Sequence, residues 1–97
     1  MFVGALELDV LLGDVRSLKQ KRSVVRPLIA DLRKRFDVAV AEAGHQDLHR
    51  RALIGVAVVA AGGDHVRDVL DECERFVAGR PELELLSARR RLLGPED

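Results

Sequence analysis

From Phe2 to Leu12 the chain alternates. Phe2, Gly4, Leu6, Leu8, Val10 and Leu12 fall on one face, and Val3, Ala5, Glu7, Asp9 and Leu11 on the other. A period of two with one apolar face predicts a half-buried strand, which the turn pair Gly13-Asp14 ends. Ser17 then opens a capping-box pattern with Gln20 three residues later. Leu18, Val25, Leu28, Ile29, Leu32 and Phe36 recur at helical spacing and predict the apolar stripe of a helix. Pro27 lies inside that stretch and removes one backbone hydrogen bond. It leaves two options: a helix kinked at Pro27, or a regular helix from about Ser23 preceded by a turn over 17–22.

The short Val- and Ala-rich stretch from Asp37 to Ala43 predicts a second strand, and the polar stretch from Gly44 to Arg50 a connecting loop with Leu48 free to fold onto the core. Residues 51–61 are apolar on both faces, which predicts a central strand covered on both sides. After Gly62-Gly63, Asp64 is the expected cap of a second helix, with Val66, Val69, Leu70, Cys73, Phe76 and Val77 as its stripe, stopped by Gly79 and Pro81. Residues 82–93 return to a strand pattern, in which Leu85-Leu86 breaks the alternation and marks a bulge or a change of face. Residues 94–97 form a tail. The order strand, helix, strand, strand, helix, strand predicts an α+β ferredoxin-like sandwich, a four-stranded antiparallel sheet with two helices on one face, as a single domain over 1–97.

Composition narrows the classes. The chain has 97 residues, which is one domain's worth of core, and one cysteine, which excludes an internal disulfide. No apolar run approaches the ~20 residues of a membrane helix. No membrane partner is expected, and the compartment expected is the cytoplasm. The net charge is +0, yet the charges are segregated. Residues 16–35 carry eight cations against Asp31 alone, whereas residues 64–84 carry seven acids and three arginines. On a helical wheel Lys19, Arg22, Arg26 and Arg33 align. Such a stripe can track phosphates, or it can be a solvated face paired with the acidic second helix. Lys21 projects toward the apolar stripe, where snorkelling of its stem is the expected arrangement.

Other chemistries are sparse. With no Tyr or Trp, the sheet lacks the aromatic platform on which single-stranded RNA readers stack bases. Its expected open face, Val3, Ala5, Glu7 and Asp9 beside Leu53, Gly55, Ala57 and Val59, is apolar enough to suit a covered surface such as a homodimer. Glu7 and Asp9 are expected to pair with Arg89 or Arg91. His45, Asp47 and His49 match no compact metal spacing, Cys73 falls on a core stripe, and Gly62-Gly63 lacks the ending of a phosphate loop. No catalytic constellation, metal or cofactor is expected.

Finally, Ser17-Leu-Lys-Gln-Lys-Arg-Ser-Val-Val-Arg-Pro-Leu-Ile, Arg35-Phe-Asp-Val-Ala-Val-Ala-Glu, His45-Gln-Asp-Leu and Ile54-Gly-Val-Ala-Val-Val together resemble the YlxP-like family of small bacterial proteins of uncharacterised function. The resemblance spans nearly the whole chain. It departs at Asp37, where asparagine is familiar, and at His49, where an aromatic is more usual. It implies the same ferredoxin-like fold. Its genes often neighbour those of translation initiation and ribosome maturation factors, which implies a place near ribosomal RNA or the ribosome. The motif residues Lys19, Lys21, Arg22, Glu42, His45, Gln46 and Asp47, with Arg26 and Arg33 of the basic stripe, are the candidate RNA- or partner-binding residues. The topology brings the start of the first helix and the 44–50 loop to the same end of the sheet. Two functions are expected from this reading: a non-enzymatic accessory protein associated with RNA or the ribosome through the basic helix, and alternatively a self-associating module using the sheet face.

Overall fold

The computed structural model describes residues 1–96; Asp97, the end of the expected tail, lies outside them. The elements are β1 (Phe2–Leu12), α1 (Leu18–Phe36), β2 (Ala39–Gly44), β3 (Arg51–Ala60), α2 (Gly63–Ala78) and β4 (Leu83–Leu93). The strands form one antiparallel sheet in the order β2-β3-β1-β4. This is the ferredoxin-like βαββαβ arrangement.

The alternation of β1 decides which side of the sheet is filled. Leu6, Leu8, Val10 and Leu12 are fully buried. Beside them on β3, Ala52, Ile54, Val56 and Val58 are buried. The helices supply Val25, Leu28 and Leu32 from α1, and Val66, Leu70, Cys73 and Val77 from α2. Each fully buried aliphatic side chain contributes ~1.5–3 kcal/mol, so this layer dominates the favourable side of folding. Gly4 shows how closely α2 lies on β1: a Cβ there would collide with Val66 Cγ1 and come within 2.9 Å of Leu70 Cδ1.

Some local expectations hold and others change. α1 begins at Leu18 and continues through Pro27. Pro27 and Ser23 are both exposed, so the carbonyl deprived of its helical donor faces water. Ser17 caps the helix by accepting from the Gln20 N–H at 3.1 Å. The Gln20 side chain reaches back one residue further than in a standard capping box, accepting from the Arg16 N–H at 2.6 Å. The end of α1 takes Asp37 into the left-handed region (φ 52°). That conformation favours Gly and Asn, and β2 therefore starts only at Ala39. Asp64 does not cap α2. Gly62 occupies the cap position with no side-chain bond, and Asp64, inside the first turn, pairs with Arg67 at 3.0 Å. Leu48 does not fold onto the core; it is 46% exposed.

β3 is central but covered on one face only. Ala57 and Val59 face solvent, with Val59 62% exposed. Gly55 and Ala57 count as apolar in a pattern, yet they expose so little side chain that the open face carries a modest solvation cost. At Leu86 the register of β4 against β1 jumps, since Asp9 faces Ser87 while Val10 faces Leu85. This is the bulge that Leu85-Leu86 predicts.

Candidate functional site

The candidate residues fall on one end and one flank of the domain. In β2, Val40 faces Val56 and Glu42 faces Ile54, so Glu42 shares the helix side of the sheet with Val40. The register shift after Glu42 then turns the chain into the loop. Lys21, in the first turns of α1, comes down onto this corner. It is 3% exposed and is the one buried charged residue among those described. Its ammonium lies 2.7 Å from Glu42 Oε2 and donates to the carbonyls of His45 (2.7 Å) and Leu48 (2.8 Å). Two of its donors are engaged by backbone carbonyls, and its charge faces the carboxylate. Glu42 Oε2 is sealed from solvent, and no donor is aligned with it in hydrogen-bond geometry, so its attraction to Lys21 is ionic. Lys21 does not snorkel. It staples the β2–β3 loop to the start of α1.

The loop is shaped by the same contacts. His45 takes a left-handed backbone (φ 58°), and the Leu48 N–H closes a turn on the His45 carbonyl at 3.0 Å. Gln46 Nε2 makes a long bond of 3.4 Å to the Glu42 carbonyl. Asp47 and His49 are exposed. No group of His, Cys, Asp and Glu among the described residues could hold a metal ion.

The carboxylate of Asp9 has different partners from those expected. Arg51 grips it with two hydrogen bonds, Nε to Oδ1 at 3.1 Å and Nη2 to Oδ2 at 2.6 Å. His45 Nε2 lies 3.5 Å from Oδ2. The Arg51 hydrogen bonds, opposed by partial burial and aided by the Arg51 charge and by His45, hold the Asp9 carboxyl below its ordinary value of 3.8. The expected partners are out of register: Arg89 faces Glu7, and Arg91 faces Ala5. Neither arginine forms an ion pair with Glu7 or Asp9 among the described residues. Arg51 is the residue that sequence reasoning missed. Its signal is the diagonal: Arg51 faces Leu11, one step along the same face from Asp9.

The basic stripe runs back from this corner along α1. Lys19, Arg22 and Arg26 are exposed and border, with Ser23 and Pro27, a surface depression of about 530 Å³. None of the three has an acidic partner among the described residues. Arg33 leaves the stripe, donating through Nη2 to the Val40 carbonyl at 2.6 Å. Further along, the Arg35 guanidinium lies 5.0 Å from the centre of the Phe76 ring. The acids of α2 do not answer these cations: Asp71 and Glu74 bind Arg90 of β4 at 2.9 and 3.2 Å. The contact that links the charges of α1 and Arg80 runs the other way, from Arg80 to the single α1 acid, Asp31, at 3.0 Å. Cys73 is buried, and burial pushes its thiol up to about 11, so it stays protonated and unreactive at neutral pH.

Residues 3–90 match the family model described as "Protein of unknown function (DUF503)". The chain is also 29% identical over 82 residues to "Uncharacterized protein YlxP" of Bacillus subtilis (strain 168), a match covering 84% of this chain and 89% of that protein.

Proposed function

Since the chain belongs to the DUF503 family of proteins of unknown function, we propose, from its own residues, that it is a non-enzymatic accessory protein that binds the backbone of structured RNA, such as that of the ribosome, through α1. The observation that carries this reading is a set of unanswered cations on one flank of α1. Lys19, Arg22 and Arg26 stand in solvent along one flank of a helix, while Arg16, Lys21, Arg51, Arg67, Arg80 and Arg90 are each matched to a carboxylate. Spacings of three and four residues give rises of ~4.5 and ~6 Å along the helix, close to the separation of successive phosphates. Backbone contact needs no stacking surface. The three phenylalanines, Phe2, Phe36 and Phe76, are all packed against the core, so no aromatic platform competes with this mode. The stapled loop beside Lys21 adds Gln46, Asp47 and His49 as polar groups that read local shape at the end of the cationic ridge.

The test is co-sedimentation of the protein with ribosomal particles in lysate at low and high salt, for the native chain and for Arg22→Glu with Arg26→Glu. The expected result is a salt-sensitive association lost in the double variant. Equal association of both chains, or none at low salt, overturns the reading.

A further inference from the structure

The open face of the sheet is divided. Toward β2 it is a floor of Ala39, Ala41, Gly55 and Ala57 with a shallow concavity of about 300 Å³. Toward β4 it carries Glu7, Arg89 and Arg91, which border a second depression of about 460 Å³ floored by Ala5. Glu7 and Arg89 face each other directly across β1 and β4, the arrangement in which opposite charges ordinarily pair. All three side chains are exposed, yet no ion pair joins them among the described residues. The face thus offers an unmatched carboxylate and an unmatched pair of guanidinium groups side by side.

We propose that the occupant of this face is a second copy of the chain, packed open face to open face about a two-fold axis that crosses the strands at the level of Val40, Val56, Leu6 and Arg90. Those four residues share one register level, and residues one step above exchange with residues one step below. Gly55 then meets Ala57 of the second copy, and Ala39 meets Ala41, so small residues oppose small residues and the sheets approach closely. Glu7 comes to lie over Ala5 of the second copy, in the depression flanked by Arg89 and Arg91. The axis repeats that contact, so each of the two carboxylates is held by two arginines. The same axis sets Arg89 opposite Arg91 of the second copy, so the two carboxylates also separate four guanidinium groups; the isologous requirement, that one patch complement itself, is met in shape, and in charge at each Glu7. Three strands of ten or eleven residues and one of six cover roughly 600 Å² per copy, at the lower end of the range for specific interfaces.

The experiment is sedimentation velocity of the full chain from ~1 to ~500 µM, with circular dichroism as the control for folding. Ala57→Arg places a charge in the floor, and Glu7→Arg removes the carboxylate. Both positions are exposed in one copy, so the fold tolerates them. Each is expected to weaken the dimer at least about tenfold, and Glu7→Arg combined with Arg89→Glu and Arg91→Glu is expected to restore it. A monomer over the whole range overturns the proposal. So does a dimer unmoved by Ala57→Arg and Glu7→Arg, which places the contact elsewhere.

Discussion

The two helices carry opposite charge, and they spend it differently. On α2 three of the five acids are answered: Asp64 by Arg67 of the same helix, and Asp71 and Glu74 by Arg90 reaching up from β4. On α1, Lys21 is committed to the interior, Arg33 to a β2 carbonyl and Arg35 to the Phe76 ring, while Lys19, Arg22 and Arg26 on one flank, and Lys34 near the far end, are left over. Segregated charge in a sequence is therefore two different things in the fold. One block is mostly bound up in structure, and the other leaves one flank of its helix available. A net charge of +0 conceals this, because it sums matched and unmatched groups alike.

The contrast can be broken most sharply at Lys21. Lys21→Ala leaves the sealed Oε2 of Glu42 with no cation and the Leu48 carbonyl without its donor, and is expected to cost about 3–5 kcal/mol in urea unfolding. Lys21→Met with Glu42→Leu replaces the pair by apolar side chains and is expected to recover most of that loss, which separates pairing from packing. A smaller effect is expected on the α2 side. Arg90→Ala frees Asp71 and Glu74, whose pairs are partly exposed, and is expected to cost about 1 kcal/mol or less. The stability of Arg22→Glu with Arg26→Glu, read in the same way, is expected to stay within about 0.5 kcal/mol of the native chain. A large loss there would show that α1 spends those cations in the fold as well.

Asp9 gives a pH signature of the same logic. Its carboxyl is held below the ordinary value by Arg51, so the folded state binds its proton later than the unfolded state does. That contribution is fully present above the ordinary carboxylate value and is lost as pH falls through the lowered folded value. Asp9→Asn is expected to be less stable at neutral pH, and the gap to the native chain is expected to close in acid, below about pH 4. A gap that does not change with pH would remove Asp9 from the account.

Periodicity carries most of the fold. β1 and the stripe of α2 are legible from spacing alone, and so is the break at Leu85-Leu86. The capping residue of α2 was not legible, because Gly62 caps through conformation and offers no side-chain signature. The site was half legible. The meeting of the α1 start with the 44–50 loop follows from topology, but the role of Lys21 does not. Its partner Glu42 is in phase with Val40, which marks it as inward-facing, whereas two of its three contacts are backbone carbonyls and have no sequence signature. The pairing of Asp9 is not legible from β4, where Ser87 stands opposite it and Arg89 stands opposite Glu7; its partner, Arg51, comes from the diagonal position on β3.

The central claim is that three free cations on α1 meet RNA phosphates. It is tested most directly by the salt dependence of the protein's affinity for a short duplex RNA, followed by fluorescence anisotropy. Three neutralised phosphates predict a loss of about 20- to 40-fold between ~50 and ~200 mM salt. Arg22→Glu with Arg26→Glu should abolish most of that slope along with the binding. A native affinity indifferent to salt, or a slope unchanged in the double variant, contradicts the claim.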